Sequence, residues 1–407
     1  MRASALAKKA GCPVVWGGVH ASLLPEQTLA HPLVDYVVQG EGEETLPELA
    51  AALEKGETAN GIAGVWHKEN GAPSFGGARK FVQYDELPPI PFHLIDFDKY
   101  ILPGSYGKTA IVYSSRGCPQ RCEFCFNHSF NLSRWRAFSP ERVMADVRLI
   151  KDKHPQASHF EFWDDNFFVN IKRALAIAQG FRDFRPKVTW SVLGAHVEDI
   201  ARMSDADLAL LRESGLKELL VGVESGSPKM LKLVRKNFTL DQLYEGNRRL
   251  ARFGIRPTYS FMSGIPGEND DDIRMTVEAM FKLKADNPRI IVGNVKPFVC
   301  YPGTALYDKA LELGLKPPGS LENWSDYLWG KYMKMDIPWV PKKRQRFLSC
   351  LYYYTVLMNP DYLFIRSTIF RVVALILRPI AEWRVKRLDF RLPIEVAGIN
   401  LAQRFMN

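Results

Sequence analysis

TAIVYSSRGCPQRCEFCFN, residues 109–127, begins as a strand and ends as a ligand loop. Its opening run TAIVYSS has the β-branched and aromatic composition of a strand, and Gly117 and Pro119 then shape a turn. Within that turn Cys118, Cys122 and Cys125 follow a C-x3-C-x2-C spacing. Three thiolates on one short loop can hold three irons of a cubane cluster, leaving the fourth iron without a protein ligand and open to substrate chemistry. A structural zinc site is the rival reading, with His128 as fourth ligand of a Cys3His set. Zinc loops usually split their ligands into two distant pairs, whereas these cysteines sit in one loop behind a strand.

Outward from this stretch, a short apolar run, a loop and an amphipathic helical segment recur six times between Thr109 and Pro297. The predicted strands are 109–115, 159–163, 188–192, 218–224, 258–264 and 290–297. Predicted helices include Pro140–Lys153 behind the N-cap Ser139, Asp205–Ser214 ended by Gly215, and Asp270–Lys284, which opens on three acidic residues. The fold class expected is α/β, a six-unit partial (β/α) TIM-like barrel over 109–305. Ahead of it, PVVWGG (13–18) and VDYVVQG (34–40) read as strands, Glu43–Lys55 as a helix, and 61–75 as a hairpin turning at Asn70-Gly71. These form a partial Rossmann-like α/β domain over 1–75, and the proline-rich DELPPIPFHL (85–94) places a linker within 76–108. After Gly303 the β/α pattern stops, and 306–407 is expected to be a mainly helical, basic extension.

In a β/α barrel the chemistry collects at the C-terminal ends of the strands. EFWDDNF (161–167) places Asp164 and Asp165 there after the second strand, and VGVESGS (221–227) places Glu224 and Ser225 after the fourth. MSGIPGE (262–268) contributes Gly264 and Gly267 after the fifth, and KPFVCYPGT (296–304) follows the sixth. A carboxylate such as Glu224 can accept from ribose hydroxyls, and glycines admit close backbone approach to a ligand. Singly, each motif also fits an ordinary role: a solvated strand-end carboxylate, turn glycines, or Asp165 as a helix cap. Their joint placement at successive strand ends is what points to one site.

Composition narrows the function further. Six cysteines in 407 residues, three of them crowded into one loop, are not a disulfide framework and suggest metal ligation in a reducing compartment. The start has no long apolar core, and no segment reaches the ~18 apolar residues of a membrane span, so a cytoplasmic location is expected. The net charge of +9 comes almost wholly from 342–407, with 12 Lys and Arg against 4 Asp and Glu. The remainder is near neutral, which argues against nucleic acid as a partner. Within the basic tail, IFRVVALILRPIAEWRVKR (369–387) has the composition of a helix lying on an anionic membrane. The alternative is a core-docked helix with a solvated basic face, broken by Pro379. Membrane contact would make the protein peripheral to the inner membrane face and a lipid-like substrate attractive.

CPQRCEFC, with Phe124 just before its last cysteine, resembles the signature of the radical S-adenosylmethionine (radical SAM) superfamily. The resemblance implies that Cys118, Cys122 and Cys125 ligate a 4Fe-4S cluster whose open iron is chelated by S-adenosylmethionine. One electron would then cleave the latter to methionine and a 5′-deoxyadenosyl radical. It also implies Phe124 beside the adenine, the Asp164 and Asp165 motif at the methionine end, Glu224 and Ser225 at the ribose, and Gly264 and Gly267 on the adenine side. Relatives often carry an arginine-aspartate pair after the third-strand tryptophan; here the run is WSVLGAHVED (190–199), so His196 or Glu198 is expected in its place.

The front piece resembles the later part of the cobalamin (B12)-binding domain that precedes many such enzymes, with Gly17-Gly18 as its glycine motif. The earlier D-x-H-x-x-G loop is absent and His20 lies in the wrong loop. Cobalamin is therefore expected of the wider family and not of these residues, with the domain truncated and a sheet edge exposed at Val14–Trp16. The activity expected is C-methylation, oxidation or ring formation on a small molecule, with flavodoxin or ferredoxin as reducing partner. A tRNA-modifying relative and a non-catalytic zinc or Fe-S interaction protein are the alternatives.

Overall fold

The computed structural model of the chain describes residues 1–327, 335–359 and 368–395, with only the backbone for 368–371. It divides into two units: Met1–Pro88, Cys118–Arg136 and Val299–Asp336 form the first, and Pro89–Gly117, Ala137–Phe298 and Ile337–Asn407 the second. Helices of eight residues or more are numbered below.

In the first unit α1 (Arg2–Lys9) precedes β1 (Val15–Trp16), β2 (Tyr36–Val38), α2 (Gly42–Glu54), β3 (Val65–Glu69) and β4 (Ala72–Phe75). The sheet runs β1-β2-β3-β4, with β1 parallel to β2 and the other pairings antiparallel. The hairpin turns at Asn70 and Gly71, whose φ values of 51° and 82° are what a two-residue turn between twisted strands needs. Leu49, Val38 and Val65 pack on one side of the sheet, and Leu29 and Val37 on the other. Among the described residues β1 has a neighbour on one side only, so the expected edge lies where Val14–Trp16 was read. Side chains around β1 are tied down locally. The Asp35 carboxylate accepts from the Val14 N–H at 2.8 Å, and Trp16 Nε1 donates to Ser4 Oγ at 3.1 Å.

The second unit holds β5 (Leu102–Gly104), β6 (Gly107–Val112), β7 (His159–Phe162), β8 (Thr189–Ala195), β9 (Leu216–Glu224), β10 (Arg256–Ser263) and β11 (Ile291–Pro297). Between them run α3 (Pro140–Lys153), α4 (Ile171–Asp183), α5 (Asp205–Glu213), α6 (Leu240–Arg252) and α7 (Asp270–Asp286). The sheet order β11-β10-β9-β8-β7-β6-β5 is parallel from β6 to β11, the arrangement of a partial β/α barrel. Only β5 is antiparallel; it extends the sheet from inside the stretch expected to be a linker. The helix starts follow the caps in the sequence: Ser139 accepts from the Arg142 N–H, and Ser204 and Asn269 each complete a capping box.

Side-chain alternation sorts the sheet into two faces. Phe160 and Phe162 turn toward α4, where Phe181 meets Phe162 at 6.0 Å and stacks on Trp190 at 5.2 Å. All four rings are fully buried, and Trp190 Nε1 is satisfied by Ser214 Oγ at 3.1 Å. The opposite face is polar: His159 bonds Thr189 and Ser191, and Tyr106, Arg256 and Thr258 converge on Glu218. Burial and Lys217 push His159 down to about 4, so its imidazole is neutral within this network.

Most strand boundaries fall within two residues of the sequence reading, and two ends differ by three. The first strand ends at Val112 rather than 115, and the third runs on to Ala195 rather than stopping at 192. Gly194 explains the extension, since a Cβ there would fall 2.0 Å from the Asp164 carbonyl oxygen. Only glycine lets β8 pass so close to that loop.

Beyond the barrel the first unit carries α8 (Ala305–Glu312), and the second carries α9 (Lys342–Leu357) and α10 (Thr368–Arg387). Residues 328–334, 360–367 and 396–407 of the expected helical extension lie outside the described residues. The open edge of β11 is met by α9 and the residues just after it: Val295 N–H donates to Thr355 Oγ1 at 3.0 Å, and Asn359 Nδ2 donates to the Val292 carbonyl at 2.6 Å. α10 is not broken at Pro379. The proline lies on the helix's exposed side, where the carbonyl losing its donor belongs to the exposed Leu375. Among the described residues no helix is long and apolar enough to cross a membrane.

Trp190 is the center of the aromatic packing, so Trp190→Ala is expected to destabilise the fold by about 3–5 kcal/mol. A lower urea midpoint with unchanged slope would report it, whereas an unchanged midpoint would mean that the ring cluster does not hold the sheet to α4.

Candidate active site at the strand ends

The strand-end motifs of the second unit are knitted together by side chains. Asp164, immediately after β7, is almost fully buried and accepts from the Ser114 N–H at 2.8 Å, from Ser114 Oγ at 2.6 Å and from Ser115 Oγ. Burial raises its pKa, and the serine hydrogen bonds and Arg173 oppose that rise. Its neighbour Asp165 is exposed and accepts from the Gly117 N–H at 2.7 Å. From α4, Arg173 donates to the carbonyls of Ser114 and Phe138, both at 2.7 Å. The two aspartates therefore fix the segment 114–117 from which the cysteine loop departs.

Glu224 ends β9 with φ at +72°, a left-handed conformation that a residue with a Cβ adopts only under constraint. Its carboxylate lies 3.2 Å from Lys236 Nζ with both side chains buried, and Lys236 also donates to the Gly222 carbonyl at 2.9 Å. His196, expected near this site, is also buried, and burial together with Lys236 pushes it down to about 3. It is a neutral imidazole here. Glu198 follows at the start of the helix Val197–Arg202, and its Oε2 is buried without a hydrogen bond.

Ser225 is turned into the structure, sharing a hydrogen bond with Thr276 Oγ1 of α7 at 3.0 Å and accepting from the Ser227 N–H. Gly226 packs so tightly on α7 that a Cβ would meet the Met275 carbonyl at 2.5 Å. Ser227 Oγ donates to Asp272, which also pairs with Lys229, and Lys229 donates to the Gly267 carbonyl. The loops after β9 and β10 are thus one connected network.

Gly264 and Gly267 both have positive φ, 81° and 86°. The Gly264 N–H donates to Glu268 at 2.6 Å and its carbonyl accepts from Trp339 Nε1 at 2.8 Å. Burial pushes Glu268 up to about 7, with the Gly264 N–H and the Arg344 guanidinium pulling the other way. On the polar face of the sheet Tyr113 and Trp163 lie just past the paired ends of β6 and β7, both exposed.

The cysteines belong to the first unit. None of the three is in a disulfide; Cys118 and Cys122 are buried, Cys125 is partly exposed, and the Cys125 N–H closes a turn on the Cys122 carbonyl at 3.0 Å. The loop is seated by its own unit. The Glu123 carbonyl accepts from the Leu306 N–H at 3.2 Å, Ser129 Oγ donates to the Gly303 carbonyl, and Arg136 pairs with Glu41 at 2.7 Å while lying 3.8 Å over the Phe81 ring. Phe124 is partly buried between two of the cysteines in sequence, and His128 lies on the short helix Asn127–Phe130. Among the described residues no three His, Cys, Asp or Glu side chains are gathered into a ready-made metal cage. The fit to a cluster therefore rests on donor chemistry: three cysteine sulfurs on one loop, outside any disulfide, two of them shielded from water.

Sequence reasoning singled out Asp164, Asp165, Glu224 and the glycines as candidates, and did not name Lys236, Arg173 and Trp339, which bond to Glu224, to the Ser114 carbonyl and to the Gly264 carbonyl. Nothing marks those three as partners along the chain, because each acts on a carboxylate or carbonyl of a different element.

Comparison with known proteins gives two family matches: Radical SAM superfamily over residues 112–280 and B12 binding domain over residues 1–50. An uncharacterized methyltransferase of Pyrococcus horikoshii is 32% identical over 317 residues, 77% of this chain and 66% of the relative. An anaerobic magnesium-protoporphyrin IX monomethyl ester cyclase of Synechocystis is 25% identical over 349 residues, 82% of this chain and 68% of the relative. Among solved structures, the cobalamin-dependent S-adenosylmethionine radical enzyme OxsB matches with a TM-score of 0.72 at 16% identity, over 100% of this chain and 64% of that one. At that identity the likeness is one of fold. The chain spans about two thirds of the length of these relatives.

Two consequences can be measured. Lys236→Met leaves Glu224 buried without its cation and should cost about 3–5 kcal/mol, most of it restored by adding Glu224→Gln; additive losses in denaturant melts would show that the pair is not coupled. Glu268 has its folded pKa raised above the unfolded value near 4.5 to about 7. Its stabilising contribution is therefore complete below pH 4.5 and is lost as pH rises toward and through 7, by on the order of 3 kcal/mol. Glu268→Gln should flatten stability against pH across that window, and an identical profile would refute the assignment.

Proposed function

The chain belongs to the radical SAM superfamily, and we propose that it is a 4Fe-4S enzyme that cleaves S-adenosylmethionine reductively to act on a small, largely apolar molecule. The observation that carries this reading is the clamp of Asp164 and Asp165 on residues 114–117, the segment that directly precedes the C-x3-C-x2-C loop in the chain. Cys118, Cys122 and Cys125 would hold the cluster, with Phe124 beside the adenine. When bound, the two groups together supply a 5′-deoxyadenosyl radical able to take hydrogen from unactivated carbon.

The remaining roles fall to side chains at the strand ends. Glu224, fixed and neutralised by Lys236, would accept from ribose hydroxyls, with Ser225 holding its loop to α7. Gly264 and Gly267, braced by Glu268, Trp339 and Lys229, would bring backbone close to the adenine. Asp164 is spent on Ser114 and Ser115, so its part is to position the loop rather than to meet the methionine end itself. Tyr113 and Trp163 offer an exposed aromatic pair to an apolar substrate. Of C-methylation, oxidation and ring formation, the likeness to a methyltransferase favours methylation.

The residues present do not fit a lower axial ligand for cobalamin. His20 packs edge-on to Trp324 at 5.2 Å with its pKa lowered by burial, and the D-x-H-x-x-G run is absent. A low-potential carrier such as flavodoxin or ferredoxin would deliver the electron, and peripheral membrane contact through 369–387 would bring the enzyme to apolar substrates.

The test is anaerobic reconstitution with iron and sulfide, followed by reduction and a 5′-deoxyadenosine assay. Wild type should bind about four irons, give a 4Fe-4S electron paramagnetic resonance signal and form 5′-deoxyadenosine, and Cys122→Ala should lose both the signal and at least ~10³-fold of product formation. Zinc in place of iron, or a cluster unaffected by Cys122→Ala, would overturn the reading.

A further inference from the structure

We infer that the outward face of α10 is a docking surface for an anionic phospholipid membrane. The inference is independent of the chemistry proposed above, since it rests on how one helix distributes its side chains. The side of α10 packed against α7 and α9 is built from Ala374, Ala381 and Val385, all fully buried. Glu382 flanks that side, paired with Lys284 of α7 and with Arg378. At helical spacing, Val372, Ile376, Ile380 and Trp383 share the opposite side. They are exposed, Ile376 by 69% and Trp383 by 48%.

A helix packed on a protein ordinarily turns its apolar stripe inward and its polar residues to water. Here small residues face inward and the large apolar ones face out. Past the helix, Leu392 and Ile394 are exposed as well, by 76% and 74%. Exposed apolar surface of this extent marks an interaction site rather than chance.

Charge identifies the occupant. The apolar stripe ends at Lys386 and Arg387, both exposed, and the Arg387 guanidinium lies 4.8 Å over the Trp383 ring. An indole at the rim of an apolar stripe with a cation above it is suited to the boundary between acyl chains and anionic headgroups. The segment 342–407, with 12 basic against 4 acidic residues, meets a complementary charge on such a membrane. A helix that does not qualify as a span would lie in the interface plane.

The test is flotation of the full-length purified protein with vesicles of phosphatidylcholine alone or with about one third phosphatidylglycerol. Binding should require phosphatidylglycerol and fall in about 0.5 M salt. Ile376→Glu and Trp383→Glu, at exposed positions, should each lower the bound fraction about 10-fold without shifting the thermal melt, and Lys386→Glu with Arg387→Glu should do the same. Failure of wild type to float, or flotation of Ile376→Glu equal to wild type, would overturn the inference. So would concentration-dependent self-association that Ile376→Glu abolishes in a protein that ignores vesicles, because the stripe would then belong to a second copy of the chain.

Discussion

Everything proposed for the site depends on a buried carboxylate that has to be satisfied. Asp164 lies almost wholly out of water, where an ionised carboxylate without partners would be strongly disfavoured. Its donors all come from Ser114 and Ser115, immediately after the preceding strand of the sheet. The end of one strand therefore dictates where the chain leaving its neighbour goes. Asp165 repeats the constraint at Gly117, whose φ of 84° turns the chain into the cysteine loop. Adjacent aspartates work differently because one is buried and one exposed: the first sets the conformation, and the second adds direction.

Part of this was legible in the sequence. Helix starts were, because Ser139, Ser204 and Asn269 cap within three residues of themselves, a range that a local pattern spans. The hairpin at Asn70-Gly71 was, because left-handed backbone confines the residue choice. The strands were, because β-branched runs punctuated by loops recur in the order of their pairing. The third strand's end was misjudged for a reason of the opposite kind. The reading stops with the apolar run at 192, yet Gly194 lets the strand continue past the Asp164–Asp165 backbone, a contact made by residues about thirty positions earlier. The same limit hid Lys236, which reaches back to Glu224 from beyond an intervening helix, and Arg173, which serves a carbonyl two elements away.

A partial barrel has an edge, and the chain after the barrel answers it. A parallel sheet that stops at β11 leaves a row of backbone donors and acceptors, which a natural fold covers rather than exposes. Thr355 and Asn359 take one donor and one acceptor of that row, so side chains of and just after α9 stand in for a further strand. The same C-terminal stretch braces the loop after β10, through Trp339 on Gly264 and Arg344 beside Glu268. Covering the edge and shaping the site are therefore not separable, and substitutions in α9 far from any ligand should be read with that coupling in mind.

The second motif shows how a strand-end signature divides its labour. Of GVESGS, Ser225, Gly226 and Ser227 are consumed in holding the loop to α7, and Glu224 alone keeps a carboxylate at the strand end. Its left-handed backbone follows from that division, since the strand must turn at Glu224 for the next residue to reach Thr276. Strain at one residue is tolerated because the neighbours over-determine its position. Glu198 Oε2 and Asn294 Oδ1 differ from all of these in remaining buried without a hydrogen bond. A buried acceptor left open is costly unless something outside the chain completes it. Loops whose polar groups are already satisfied among themselves can be rigid before a ligand arrives.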